Sequence, residues 1–232
     1  MVLILLLAQV TAPPEFQSTA TFQTSAGAAT VDGTTHTAAE QARINGEIVR
    51  RLKALEGHEE GARLVDSKLY GAAEAAFRKR GQVAGVAVAL YLNGKTAAAT
   101  EALLAAPRSL ALLPFLAEMG EGPLVAGAIR EIASTHLSSG EALFYLARVA
   151  PRDEAVRLLE KAAALDLKDT RALLELARLH GDDRAKAIAA LEGVLARDPS
   201  MAAAHYRLAS LYRAAGDVEK SRKHMAAFQG LR

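Results

Sequence analysis

The sequence predicts an all-α fold, a right-handed solenoid of about five or six antiparallel helix pairs. Three observations support this class: a small residue that recurs at regular intervals, glycines at turns between helices, and an alanine-rich composition. The small residue falls at positions 87, 117, 147, 177 and 209, at intervals of 30, 30, 30 and 32 residues. Antiparallel helices cross most closely at such a residue, and one pair cannot bury its apolar face alone. We therefore expect the pairs to stack.

The composition favours helices and excludes several classes of function. The chain is 51% hydrophobic but only 5% aromatic, and alanine is a strong helix former. Its net charge of +2 is too small to indicate a nucleic-acid partner. The absence of cysteine excludes disulfides, thiolate metal sites and cysteine nucleophiles. We expect no cofactor and no metal site.

The N-terminus carries an unbroken apolar run, Val2–Ala8. The run is too short to span a bilayer, and it matches the lower limit of a signal-peptide core. We therefore predict a signal-peptide core over residues 1–8 in an exported, periplasmic protein of a bacterium, without a transmembrane helix. No Lys or Arg precedes the run, so a cytoplasmic location is the alternative.

A polar segment and one helix are predicted before the repeats. Residues 9–37 are rich in Thr, Ser, Gln and Gly without a helical period, which predicts a disordered linker. Thr37-x-x-Glu40 forms a capping box and begins an N-terminal helix over residues 38–56. Its apolar stripe is Ile44, Ile48, Leu52 and Leu55, and the side chains predicted to point away are Arg43, Glu47, Arg50, Arg51 and Lys53.

The repeat domain is predicted over residues 57–232. Its clearest unit is His205-x2-Leu208-Ala209-x2-Tyr212, then Ser221-x3-Met225 after a turn at Gly216. Four earlier units keep the same order: Leu173-x2-Leu176-Ala177 with Ala187-x3-Leu191, Leu143-x2-Leu146-Ala147 with Ala155-x3-Leu159, Leu113-x2-Leu116-Ala117 with Ala128-x3-Ile132, and Val83-x2-Val86-Ala87 with Ala99-x3-Leu103. An irregular pair over 59–66 and 69–80 precedes them.

These units resemble the tetratricopeptide repeat (TPR) family in short, degenerate copies, over about residues 57–229. The resemblance implies an α-solenoid whose first helices line a concave groove, and a non-catalytic scaffold or adaptor that binds a protein or peptide there. The family's groove positions follow the bulky and the small core residue of each first helix. The residues after the bulky position are Phe144, Leu174 and Tyr206, and those after the small position are Arg148, Arg178 and Ser210. Arg207 and Arg213 flank the same face in the last unit. Guanidinium groups pair bidentately with carboxylates, so we expect an acidic partner.

Two other functions stay open. A homo-oligomer is the first, because Val218, Met225 and Phe228 give the last helix an apolar side without a further helix to cover it. A cell-envelope enzyme, such as a glycan or peptidoglycan hydrolase, is the second, but the frame supplies no paired acids. Asn93-Gly94-Lys95-Thr96 lacks the first glycine of a phosphate loop, and His180 and His205 occupy packing positions of the repeat. We predict no catalytic residue.

Overall fold

The computed structural model describes residues 28–31 and 34–231. It divides the chain into two units, one ending at Glu47 and one beginning at Ile48. The predicted signal-peptide core and most of the predicted linker lie outside the described residues. Both therefore stay predictions.

The first unit contains two short strands that the sequence analysis did not predict. β1 (Ala28–Val31) and β2 (Thr34–Thr37) are antiparallel, with Ala28 opposite Thr37 and Val31 opposite Thr34. Threonine favours strands, but a single valine among alanines and threonines gives no alternating apolar face to recognise.

The first helix, α1 (Ala38–Lys53), begins with the predicted capping box. The Thr37 N–H donates to Glu40 Oε2 at 2.9 Å, and the Glu40 N–H donates to Thr37 Oγ1 at 3.2 Å. These two bonds satisfy backbone donors that the first helical turn leaves without intrahelical partners.

The second unit contains six pairs of helices in chain order, which confirms the predicted α-solenoid of antiparallel pairs. They are α2 (Glu59–Asp66) with α3 (Tyr70–Lys79), α4 (Val83–Leu92) with α5 (Thr96–Ala105), α6 (Leu113–Met119) with α7 (Pro123–Ser134), α8 (Gly140–Arg148) with α9 (Arg152–Leu165), α10 (Arg171–Leu179) with α11 (Arg184–Arg197), and α12 (Ala202–Ala214) with α13 (Val218–Gly230). Among the described residues, no helix combines the length and apolar character that crossing a membrane requires.

Prolines and side-chain caps set several of these boundaries. The sequence left open whether Pro114 begins a helix or kinks one; the structure places it in the first turn of α6, where its missing N–H costs nothing. Ser139 Oγ accepts from the Ala142 N–H, and Asp183 Oδ1 accepts from the Lys186 N–H, both at 3.2 Å. Gly94 and Gly216 take positive φ at the turns within their pairs, as glycine readily does.

The core is built from the small and bulky residues of the repeat pattern. The recurring small residue is buried in four of its five copies, Ala87, Ala147, Ala177 and Ala209. The alanine of each Ala-x3-bulky pattern in the second helices α5, α7, α9 and α11 is likewise buried with its partner. The last pair differs, because α13 contains no buried residue.

Helix α4 is the most enclosed helix of the second unit. Every residue from Ala84 to Tyr91 is buried, because α4 packs against α2, α3, α5 and α6. The ring of Phe77, which is 0% exposed, fills the space between α3 and two glycines. A Cβ built on Gly61 would lie 2.2 Å from this ring, and one on Gly85 would lie 2.3 Å from it. The backbone therefore approaches the ring only where no side chain is present.

We predict that Gly85→Ala destabilises the fold by about 1–3 kcal/mol, because the added methyl must displace a fully enclosed ring. Urea unfolding followed by circular dichroism measures this difference. The matched control is Gly127→Ala in α7, where a Cβ would meet nothing within 4 Å. This control should gain up to about 1 kcal/mol from helix propensity. Equal stabilisation by both substitutions would contradict the packing around Phe77.

Candidate functional site

The predicted groove residues all lie on first helices of pairs. Phe144 and Arg148 are on α8, and Leu174 and Arg178 are on α10. The other four, Tyr206, Arg207, Ser210 and Arg213, are on α12. Arg148, Arg178 and Arg213 are exposed, and Tyr206 is 50% exposed. The remaining predicted residues are half-buried: Phe144, Leu174, Arg207 and Ser210.

Polar contacts join successive first helices at these positions. Arg148 Nη1 of α8 lies 2.5 Å from Glu118 Oε1 of α6. Arg171 Nη1 of α10 donates to the Tyr145 hydroxyl of α8 at 3.3 Å. The side chains of α6, α8 and α10 therefore form one continuous surface. We call it, with the predicted residues of α12, the first-helix face: Glu118, Glu141, Phe144, Tyr145, Arg148, Arg171, Leu174, Glu175, Arg178, Tyr206, Arg207, Ser210 and Arg213.

The arginines of this face differ in their carboxylate partners. Arg178 donates to Glu175 Oε1 from Nε at 2.9 Å and from Nη2 at 2.5 Å, and this hydrogen bonding raises the pKa of Arg178. Arg148 has Glu118 as its partner. Arg207 and Arg213, in contrast, form no ion pair within the part of the chain that the structure describes.

A second set of residues surrounds Glu141, and the sequence analysis selected only Phe144 among them. Asp169 holds the guanidinium of Arg171 with both carboxylate oxygens, at 2.8 Å from Nε and 2.6 Å from Nη2. The same guanidinium lies 4.8 Å from the centroid of the Phe144 ring, and its Nη2 is 4.0 Å from Glu141 Oε1. We call Glu141, Phe144, Tyr145, Asp169 and Arg171 the Glu141 site.

The electrostatics of the Glu141 site stabilise its charged groups. Burial disfavours the charged form of both Asp169 and Arg171, but their mutual hydrogen bonds and charge attraction together outweigh it. The pKa of Asp169 is therefore lowered and that of Arg171 is raised. Burial raises the pKa of the Tyr145 hydroxyl, so this hydroxyl stays protonated at neutral pH.

Arg51 in the last turn of α1 also reaches the Glu141 site. Its Nη1 donates to Glu141 Oε1 at 2.8 Å across a separation of 90 residues, and its guanidinium carbon lies 6.0 Å from the Tyr145 ring centroid. The side chain is 19% exposed. The sequence analysis placed Arg51 away from the apolar stripe of α1, but it did not foresee this partner, which is distant in sequence.

One signal in the sequence could have found part of this site. Glu141 and Arg171 lie two residues before the bulky residues Leu143 and Leu173, so they occupy the same frame position, 30 residues apart. The sequence analysis used only the positions that follow the core residues. Arg51 lies outside the repeat, so no frame could have placed it.

The last pair contains a histidine pair that the sequence spacing did not reveal. His205 Nδ1 of α12 lies 3.0 Å from His224 Nδ1 of α13, and the ring of Tyr212 stacks on His224 with centroids 5.6 Å apart. Burial and then the hydrogen bond to Glu192 raise the pKa of Tyr212 to about 12. Within the described residues, no group of three or more His, Asp or Glu side chains is placed to hold a metal ion.

We predict that the stability of the protein falls on acidification from about pH 7.5 to about pH 5.5 because of His224. Burial first, and then His205 and Lys223, lower the pKa of His224, and Glu192 opposes them only in part. Because the unfolded state binds this proton more tightly, stability is lost as pH falls through the unfolded pKa towards the folded one.

Urea unfolding at the two pH values measures this effect. The substitution His224→Gln should flatten the pH dependence. An identical slope in the parent and in His224→Gln would contradict the assignment.

Comparisons with known proteins agree with this architecture. Residues 182–227, which include all of α11 and α12 and most of α13, match the tetratricopeptide repeat family model. The crystal structure of MamA is similar at 18% identity, covering 63% of this chain and 94% of that chain, with a TM-score of 0.54. A tetratricopeptide repeat protein from Parabacteroides merdae is similar at 18% identity, covering 82% of this chain and 79% of that chain, with a TM-score of 0.53.

No curated protein sequence matches the chain. At these identities the two solved structures establish the fold, and the repeat match establishes the type of its last unit. The chain therefore has the helix-pair fold of tetratricopeptide-repeat proteins, in short, degenerate copies with buried small residues.

Proposed function

We propose that the chain is a non-catalytic protein–protein interaction scaffold that binds a protein or peptide segment on its first-helix face. The observation that carries this proposal is the exposure of arginine and aromatic side chains along helices whose buried sides hold the fold together. Arginine and tyrosine are the residue types that interfaces favour, because they combine apolar contact area with hydrogen bonding. Their positions leave the core unchanged whatever they bind.

The charges of the first-helix face favour an acidic segment at α12. Arg148 and Arg178 already have Glu118 and Glu175 as partners, so an incoming carboxylate must compete with them. Arg207 and Arg213 form no such pair in the described structure. A partner carboxylate gains a charge-assisted bond there without breaking an existing one.

One face of α12 combines the chemistry that such a segment needs. Tyr206, Ser210 and Arg213 follow the spacing i, i+4, i+7, which places them on one side of the helix. The Tyr206 ring packs 5.2 Å from the Phe228 ring of α13, so its orientation is fixed while half of it stays exposed. An aromatic contact, a hydroxyl and a guanidinium therefore line up along the helix.

We predict that Arg207→Glu combined with Arg213→Glu weakens binding of acidic peptides by about tenfold or more, or about 1.4 kcal/mol. A display library of short peptides selected on the wild-type chain supplies the ligands. The selected sequences should be enriched in Asp and Glu, and their affinities for the variant are then measured by fluorescence anisotropy.

The matched control for this test is Arg157→Glu with Lys161→Glu, two exposed residues of the second helix α9. It changes the net charge by the same amount away from the first-helix face. Affinity should stay at the wild-type value in this control, and helicity should be unchanged in both variants. Selected peptides without acidic enrichment, or equal losses in the two variants, would contradict the proposal.

Self-association through α13 is the second candidate, because this helix exposes Val218, contains no buried residue and is followed by the exposed Leu231. Sedimentation velocity over a dilution series separates the two functions. Self-association is supported if the mass of the wild-type protein falls on dilution and if Val218→Asp gives the mass of the monomer at every concentration. The hydrolase alternative receives no support from the described residues, among which no charged side chain is buried.

A further inference from the structure

The contact of Arg51 with the Glu141 site joins the end of α1 to the fourth helix pair. It spans 90 residues, and both side chains are partly shielded from water, with exposed fractions of 19% for Arg51 and 35% for Glu141. Charge-assisted hydrogen bonds of this kind are stronger and more directional than neutral ones. The bond therefore specifies which residue of α1 lies at this point of the first-helix face.

The receiving side of this contact is held in place by bonds within the solenoid. Asp169 fixes Arg171, Arg171 bonds to the Tyr145 hydroxyl, and Phe144 packs edge-on against Tyr145 with centroids 5.2 Å apart. None of these contacts involves α1. The Arg171 guanidinium and the Tyr145 ring beside Glu141 are therefore held in place by the solenoid itself, without α1.

The end of α1 adds two apolar anchors to the arginine. Ile48 is 1% exposed and Leu52 is 0% exposed, whereas the neighbouring Arg50 and Lys53 are exposed. The anchors lie at i and i+4, and Arg51 lies at i+3, so all three are on one side of the helix. An amphipathic helix that binds a protein surface presents its anchors on one side in this way.

We propose that the Glu141 site is a receptor for an arginine carried on an amphipathic helix, and that the end of α1, residues 48–53, is its resident, displaceable ligand. The partner is a helical protein segment with aliphatic residues at i and i+4 and arginine at i+3. This inference rests on the proposed function only in taking the first-helix face as the binding face. It adds a basic determinant at α8 that is separate from the acidic segment bound at α12.

Tethering makes the resident helix a strong competitor. A segment in the same chain acts at an effective concentration of the order of millimolar, so a free helix with equal contacts binds weakly while α1 is docked. Loosening α1 removes this competition. The apparent affinity for the free helix then rises in proportion to the fraction of Glu141 sites that are open. The contact therefore prevents weak ligands from binding at the Glu141 site, whereas a partner helix with better-matched contacts displaces α1.

The test uses the full chain and a fluorescein-labelled synthetic peptide of residues 38–56 as the probe. In the variant Arg51→Glu, the like charge opposite Glu141 expels the resident side chain. Peptide affinity should then rise by about tenfold over wild type, and amide exchange over residues 48–53 should accelerate while α8 to α11 stay protected. Arg51→Gln, a milder change, should give a smaller gain in the same direction.

Three controls assign the gain to the arginine contact. Lys53→Glu makes the same charge change in the same turn, where Lys53 pairs with Asp66, and should leave peptide affinity at the wild-type value. Adding Glu141→Gln to Arg51→Glu should abolish the gain. A peptide carrying Arg51→Gln should bind Arg51→Glu protein no better than it binds wild type.

Equal peptide affinity in wild type and Arg51→Glu, or an equal gain in Lys53→Glu, would overturn the inference. Acidic peptides selected for α12 are measured on the Arg51→Glu and Lys53→Glu variants and should bind both alike. If Arg51→Glu does not raise the affinity for the α1 peptide but the acidic peptides still bind, only this inference is wrong. If the acidic peptides do not bind but Arg51→Glu still raises the affinity for the α1 peptide, the proposed binding of an acidic partner is wrong instead.

Discussion

The close approach of paired helices at small residues is the constraint on which the rest of the structure depends. Alanines such as Ala87, Ala177 and Ala209 are almost fully buried, as residues at a close helix crossing are. Bulky neighbours fill the volume beside each crossing, and the same arrangement repeats from pair to pair. At Gly61 and Gly85, where the backbone lies against the ring of Phe77, even a methyl group would have to displace that ring.

This packing also determines where binding residues are found. Because the small and bulky residues use one side of each first helix, the remaining side is left to polar and aromatic groups. Contacts such as Glu118 with Arg148, and Tyr145 with Arg171, then join those sides into a surface. The surface is charged but partly self-neutralised, so its binding properties depend on which arginines have partners and on what occupies Glu141.

The sequence predicts the helices far better than it predicts the site. Helix boundaries follow from local signals such as Ser139, Asp183 and Pro123, which act within one turn, and the spacing of Ala177 and its counterparts fixes the pairing. The site depends on contacts between distant residues. Arg148 and Arg178 are on the expected helices, but their carboxylate partners were not foreseen, and the bond of Arg51 to Glu141 has no local signature.

The most direct test of the central claim is the stability of Ala177→Leu compared with Ala189→Leu. Ala177 is 3% exposed at a crossing, whereas Ala189 is an exposed residue of α11. Thermal and urea unfolding should show a loss of about 1–3 kcal/mol for Ala177→Leu, because the larger side chain overpacks the crossing, and little change for Ala189→Leu. Equal stability of the two variants would show that the crossing does not require a small residue, and the account of the stack would be wrong.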